Sequence, residues 1–141
     1  MKILFTCLFL LTLQIAVAQD NFLVVTSGGG VTGNATVFKI GMDGKVWKGK
    51  GLGEVKYNEQ SKVKKSVAKK CYNKAKTAVE TFPDFNHPGN IYYSIATLEN
   101  GKEKKITWGD PKTPDPDLAK KLYQEITAIL TGLTYTSNTT K

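Results

Sequence analysis

Arginine is absent from this sequence, and histidine and cysteine are scarce. All 20 basic residues are lysine, His87 is the only histidine, and there are two cysteines, Cys7 and Cys71. Proteins that read nucleic-acid bases rely on the forked guanidinium group of arginine, so the composition argues against specific nucleic-acid binding. Because Cys7 lies in the leader described below, Cys71 is left without a partner for an internal disulfide. We expect Cys71 to be a buried thiol on a helix rather than a dimerisation cysteine.

The same scarcity argues against catalysis and against metal binding. Structural zinc needs four nitrogen or sulfur ligands and catalytic zinc needs three, whereas Asp84 and His87 are the only close pair of candidate ligands. Cys71 has no histidine beside it that could activate it as a nucleophile. The remaining carboxylates suit turns and helix caps better than a glycosidase pair. We therefore predict a protein that is not an enzyme, with no catalytic residue, metal or cofactor.

Long apolar runs are missing too, except at the start of the chain. Residues 3–17 are mostly apolar and lead into Ala16-Val17-Ala18, the pattern that signal peptidase cuts. The run is too short for a transmembrane helix. We predict a signal peptide over residues 1–18 and a mature chain from Gln19, and hence an exported protein, periplasmic or secreted, that does not span a membrane.

Lysine is what the chain has in quantity, and its distribution is uneven. The predicted mature chain holds 19 lysines against 12 acidic residues, a net charge of +7. Residues 39–76 contain twelve lysines and three acids, while residues 77–141 contain seven lysines and eight acids. A basic region of this kind attracts anionic polymers and surfaces. The Lys39–Lys76 region is one candidate binding region, and a solvated helix face is the alternative.

Two amphipathic helices are predicted from apolar residues that repeat every three or four positions. The first runs from Glu59 to Phe82, with Asn58 as its N-cap. The second is predicted to begin at Pro116 with Asp115 as its N-cap, and its apolar stripe is expected to be buried. That stripe consists of Leu118, Leu122, Ile126, Ile129, Leu130 and Leu133.

The strands are predicted from β-rich runs and from the turns that join them. Asp43-Gly44 and Asn100-Gly101 each stand between two such runs, which is typical of a tight hairpin. We expect an α+β fold, with an antiparallel sheet of one strand plus two β-hairpins and the two amphipathic helices packed on one face. One domain covers residues 19–133, and residues 134–141 are predicted to be a flexible polar tail.

A glycine-rich stretch, Gly28 to Gly33, follows the first β run. It nearly fits a phosphate-binding loop, but Asn34 and Ala35 stand where that loop needs a lysine and a hydroxyl. Glycine allows a positive φ and a close approach by another molecule, so this stretch is a candidate contact surface. The alternative is that it only turns the chain between two strands.

Four features together make the chain similar to the emfourin-like family, whose reference member, a protealysin inhibitor, blocks thermolysin-type zinc metallopeptidases. They are Ser27-Gly28-Gly29, the strand start Asn90–Tyr93, the stretch Ile106–Asp110, and a leucine-rich closing helix from Leu118. The resemblance spans residues 22–133 and implies a protein-binding domain that inhibits a metallopeptidase. The predicted signal peptide, which is a departure from the reference pattern, places both proteins outside the cytoplasm, so the expected partner is a secreted metallopeptidase. The predicted partner-binding residues are Ser27, Gly28, Gly29, Gly30, Val31, Thr32, Trp108, Gly109 and Asp110.

Overall fold

A computed structural model describes residues 20–137 of the chain. The predicted signal peptide and residues 138–141 of the predicted tail lie outside the described residues. The described part contains seven strands and two helices. In chain order they are β1 (Phe22–Gly29), β2 (Ala35–Gly41), β3 (Lys45–Gly51), β4 (Lys56–Lys62), α1 (Lys65–Thr81), β5 (Ile91–Glu99), β6 (Lys102–Trp108), α2 (Asp117–Thr131) and β7 (Thr136–Ser137).

All seven strands belong to one antiparallel sheet, in the order β6-β5-β1-β2-β3-β4-β7. The first strand, β1, lies inside the sheet, where Leu23 is opposite Ile40 of β2 on one side and Thr97 of β5 on the other. The α+β class is thus confirmed. The sheet is larger than the predicted strand plus two hairpins, because β4 and β7 extend it on one side.

Both predicted hairpins are confirmed. Gly44 closes the β2–β3 turn with φ +91°, and its N–H donates to the Gly41 carbonyl at 2.9 Å. Asn100 and Gly101 close the β5–β6 turn with φ values of +54° and +75°. A tight turn needs a positive φ, which glycine adopts more readily than residues that carry a side chain. The Asp-Gly and Asn-Gly pairs therefore predicted where the two turns lie.

The predicted start of the first helix is wrong. Residues 59–62 belong to β4, and α1 begins at Lys65, so Asn58 is not an N-cap. Along β4, Lys62 is opposite Lys45 and Gln60 is opposite Trp47, with an irregularity in the register at Lys48 and Gly49. The strand is almost entirely polar, so it carries no alternating apolar pattern. Pairing with β3 decides its conformation, which no local signal shows.

The hydrophobic core joins strand and helix residues in one cluster. Leu23, Val25, Ile95 and Ile106 have no exposed surface, and Ile95 lies opposite both Val25 and Ile106. The buried helix residues are Ala68, Cys71, Tyr72, Ala75, Ala78 and Val79 of α1 and Ala119, Leu122, Ile126 and Leu130 of α2. The small side chains of α1 allow close packing. Cys71 is 5% exposed, as expected for a buried thiol, and burial raises the pKa of that thiol.

The second helix follows the predicted pattern except at its start. Asp117 is its first residue and Pro116 its N-cap, so the predicted cap at Asp115 and start at Pro116 each lie one residue too early. Leu122, Ile126 and Leu130 are buried as predicted, but Leu118 is 45% exposed, so this part of the predicted stripe is wrong. Neither α1 nor any other helix among residues 20–137 is long and apolar enough to cross a bilayer.

The chain after α2 returns to the sheet. Thr136 and Ser137 pair with Gln60 and Glu59 of β4, and the Ser61 hydroxyl donates to the Thr134 carbonyl at 2.7 Å. The Tyr135 hydroxyl donates to the Leu130 carbonyl at 3.0 Å. These contacts tie residues 134–137 to the domain.

Tyr135 is expected to lower the free energy of unfolding as the pH becomes alkaline. Burial, assisted by the Glu59 carboxylate, raises its pKa from 10.0 to about 12. The folded pKa lies above the unfolded one, so this stabilisation is complete below pH 10 and is lost as the pH rises through about 12. We expect the free energy of unfolding to fall by about 1–2 kcal/mol over that range. Urea unfolding at each pH, with Tyr135→Phe as the control, measures this contribution. A fall of equal size in the variant would contradict the assignment to Tyr135.

Candidate partner-binding surface

Ser27, Gly28 and Gly29 form the end of β1 rather than a free loop. Ser27 is opposite Tyr93 of β5, and Gly28 is opposite Tyr92. A Cβ on Gly28 would lie 2.6 Å from the Tyr92 hydroxyl oxygen, so the tyrosine ring occupies the space that a side chain would need. The first three predicted contact residues are therefore held firmly by the neighbouring strand.

The backbone turns away from β5 at Gly29 and Gly30, where φ is +99° and +75°. A Cβ on Gly29 would overlap the carbonyl oxygen of Asn90. The Gly30 N–H donates to the same carbonyl at 2.8 Å. Glycine is required at residue 29 by both the conformation and the close approach of the two backbones.

The loop proper consists of residues 30–34 and projects into solvent. The Gly33 N–H donates to the Gly30 carbonyl at 3.1 Å, which closes the turn. Val31 stands at its tip with 107% relative exposure, and Thr32 beside it is exposed as well. An aliphatic side chain this exposed gains nothing from folding, so Val31 is available for contact with a partner.

The second predicted stretch, Trp108–Asp110, contains one buried and two half-buried residues. Trp108 is 3% exposed, so its indole ring belongs to the core. Gly109 has φ +133°, and a Cβ there would overlap the carbonyl oxygen of Ile91. The Asp110 carboxylate accepts hydrogen bonds from the Lys112 N–H and the Thr113 hydroxyl, both at 3.0 Å. Asp110 therefore shapes the following turn with both of its oxygens.

A cleft of about 630 Å³ lies beside this stretch. Its aromatic wall is formed by Tyr93, which stacks on Trp108 at 6.0 Å, and by Tyr123 of α2, whose ring meets both edge-on. Asp115 and Lys120 form an ion pair of 2.7 Å at the cleft. The lining residues are Ile91, Tyr93, Trp108, Gly109, Asp110, Pro111, Thr113, Asp115, Lys120, Tyr123 and Gln124.

Two of the groups at this cleft have raised pKa values. Burial raises the pKa of the Tyr123 phenol, and a hydrogen bond with the Ser27 hydroxyl opposes this effect. The hydrogen bond and charge of Asp115 raise the pKa of Lys120. At neutral pH the tyrosine is uncharged and the lysine is charged and paired. The cleft offers aromatic surface, hydrogen-bonding groups and the carboxylates of Asp110 and Asp115.

The structure brings the two predicted stretches together. Ser27 is opposite Tyr93, and Tyr93 is opposite Trp108, so the ends of β1 and β6 flank the start of β5. Sequence reasoning missed Tyr123, because its place in the cleft depends on how α2 packs. It also missed the contact between the loop at residues 30–34 and the loop that follows Gly51.

Most lysines of the Lys39–Lys76 region have no acidic partner among the described residues. Four of its lysines have acidic partners: Lys45 with Asp43, Lys48 with Glu59, Lys74 with Glu125 and Lys76 with Glu99. The other eight lysines in residues 39–76 have no ion-pair partner within the described part of the chain. The first turn of α1 contains no acidic residue. This region is therefore a strongly basic surface.

The titratable residues are dispersed. No three His, Cys, Asp or Glu side chains come close enough to hold a metal ion anywhere in residues 20–137. The His87 ring packs against Phe85 with 4.8 Å between centroids, and the backbone N–H of His87 donates to the Thr107 carbonyl at 2.9 Å. Cys71 is buried in the core. The absence of a metal, cofactor and enzymatic activity stays a prediction from the sequence.

Comparison with known proteins leaves the family open. No protein-family model matches the sequence. A search of curated proteins finds no match either. The resemblance to the emfourin-like family accordingly stays a prediction.

Proposed function

We propose that this chain is an exported, non-enzymatic protein-binding domain that inhibits a thermolysin-type zinc metallopeptidase. The observation that carries the proposal is the convergence of Ser27–Thr32 and Trp108–Asp110 at one end of the sheet, on either side of β5. The resemblance that suggested the peptidase placed its contacts in these two stretches. A surface that is already formed loses little conformational freedom on binding, which favours tight association.

We further infer that both helices cover one face of the sheet and so support this end of it. Leu23, Ile40 and Val46 lie in register across β1, β2 and β3, and all three belong to the same buried cluster as the helix side chains. With the helices on that face, the two contact stretches project from a rigid base. Binding then requires little rearrangement of the inhibitor.

Stoichiometric inhibition is the expected result when the predicted mature form, Gln19–Lys141, is titrated against thermolysin. Every described helix and strand lies within this form. The surface contains one ion pair at its cleft and otherwise offers packing contacts, so inhibition should change little between about 50 and 300 mM salt. Cleavage of a fluorogenic peptide measures the free enzyme at each ratio of inhibitor to enzyme.

Absence of inhibition at either salt concentration would contradict the proposed function. Export is tested separately by N-terminal sequencing of the protein recovered from outside the cytoplasm. A first residue of Gln19 is expected if residues 1–18 are a signal peptide.

The second candidate function is binding of an anionic polymer or surface by the Lys39–Lys76 region. It is favoured by the eight lysines in this segment without an ion-pair partner among the described residues. Such binding depends on charge and weakens steeply as salt rises. Retention on immobilised heparin that disappears between the same two salt concentrations, without peptidase inhibition, would favour this candidate over the first.

A further inference from the structure

A second exposed loop lies next to the predicted one. Residues 52–55 connect β3 to β4, and Leu52 at the start of this loop is 71% exposed. A Cβ on Gly33 would lie 2.9 Å from the Leu52 Cδ1 atom, so the two loops touch. Val31 and Leu52 therefore project from adjoining loops, and we call this pair of side chains the ridge.

The ridge stands out against the rest of the described surface. Five large hydrophobic residues are exposed on the described surface. Four of them lie at the end of the sheet where β1 and β3 end and β4 and β5 begin: Val31, Leu52, Tyr57 and Ile91. Leu118, the fifth, lies in a separate patch with Lys74 and Thr77 of α1. Exposed apolar side chains that are concentrated at one end mark a contact surface more strongly than scattered ones do.

Glycines hold both loops in conformations that other residues seldom adopt. Gly30 and Gly33 flank Val31 with φ values of +75° and +63°, and Gly53 follows Leu52 with φ +83°. A Cβ at Gly30 or at Gly53 would have no atom within 4 Å. Packing against the domain therefore does not explain these two glycines. Their backbone conformation directs the two aliphatic side chains outward.

We propose that the ridge inserts into an apolar cleft of the inhibited peptidase, which makes the β3–β4 loop a second contact segment. This inference rests on the proposed function and adds Leu52 to the contact residues. Two convex aliphatic tips fit a concave surface. Complete burial of a valine or leucine side chain changes affinity by about 10- to 100-fold.

A membrane is the less favourable occupant of the same surface. The ridge contains two short aliphatic side chains and no Trp or Phe, and Tyr57 beside it, an aromatic residue of the kind found at membrane interfaces, is only 39% exposed. Even a single myristoyl chain gives only marginal membrane binding. Lys50 and Lys56 flank the β3–β4 loop, but Glu54 lies within it and partly offsets their charge. The charge and the apolar area therefore suit one protein cleft better than a bilayer.

The test compares three variants of Gln19–Lys141: Val31→Ser, Leu52→Ser and the control Leu118→Ser. Each shortens one exposed aliphatic side chain, so thermal unfolding followed by circular dichroism should show a folded protein with a midpoint within a few degrees of the unmodified chain for all three. Inhibition of thermolysin is the main measurement. We expect the inhibition constant to rise at least about tenfold for Val31→Ser and for Leu52→Ser. Leu118→Ser should inhibit as the unmodified chain does.

The outcomes separate this inference from the function on which it rests. If the unmodified chain inhibits thermolysin and all three variants inhibit it equally well, the proposed contact role of the ridge is wrong and the proposed function stands. No inhibition by the unmodified chain would overturn both. Cosedimentation with vesicles of phosphatidylcholine and phosphatidylglycerol is measured alongside. Binding to vesicles that both ridge variants lose, with inhibition unchanged, would assign the ridge to a lipid surface and overturn the proposed partner.

Discussion

Gly29→Ala is expected to lower the free energy of unfolding by about 3 kcal/mol or more. Two effects add at this residue. The backbone has φ +99°, which a residue with a side chain adopts only with strain, and the new Cβ would overlap the carbonyl oxygen of Asn90. Relief of that overlap would separate the ends of β1 and β5 and disturb the proposed contact surface. Urea unfolding measures the stability, and thermolysin titration measures the loss of inhibition.

Gly30→Ala is the matched control for this variant. Gly30 also has a positive φ, +75°, but a Cβ there would have no atom within 4 Å. Strain alone should cost about 1–2 kcal/mol. The difference between the two variants therefore isolates the close approach of the two backbones. Equal stabilities would show that residue 29 is constrained by φ alone.

Trp108→Ala is expected to destabilise the protein by about 3–5 kcal/mol, as a large aromatic truncation in a core does. The indole is 3% exposed and packs against the rings of Tyr93 and Tyr123. Its removal opens a cavity behind the aromatic wall of the cleft. The free energy from urea unfolding gives the size of the effect. Leu118→Ala, at a residue that is 45% exposed, should change it by less than about 1 kcal/mol.

Trp108→Phe separates a supporting role from direct contact with the partner. Phenylalanine fills part of the indole volume, so this variant should keep most of the stability and inhibit thermolysin nearly as well as the unmodified chain. A large loss of inhibition in a stably folded Trp108→Phe variant would mean that the indole itself touches the partner. That result would contradict the buried, supporting role which the structure gives it.

Local sequence signals predicted the parts of the fold that local chemistry controls. Asp43-Gly44 and Asn100-Gly101 located both hairpins, because a tight turn demands particular residues. The apolar repeats located most of α1 and α2. Strand β4 was missed because its side chains are polar and only its pairing with β3 specifies it. Leu118 was misassigned because it continues the apolar stripe of α2, yet with Lys74 and Thr77 of α1 beside it the side chain stays 45% exposed.

The candidate surface was predictable in outline only. The glycines of Ser27–Gly30 and Gly109 were visible in the sequence, and the structure shows that Gly29 and Gly109 allow close backbone contacts with Asn90 and Ile91. The sequence alone could not show that the two stretches meet, because that depends on β1 lying between β2 and β5. Tyr123 and Leu52 join the surface through packing and loop contact, which leave no local pattern.

The order of the strands also has a consequence for how the chain acquires its structure. Strands β1 to β4 follow one another as a meander, but the other side of β1 pairs with β5, with Phe22 opposite Leu98. Until β5 is available, one edge of β1 has no partner. Pairing β1 with β5 brings together residues that are far apart in the sequence, and the entropy lost in closing such a long segment makes this step slow. A chain that crosses a membrane from its N-terminus would thus stay incompletely folded until late in its passage. The central sheet is therefore completed only once β5 is available to pair with β1.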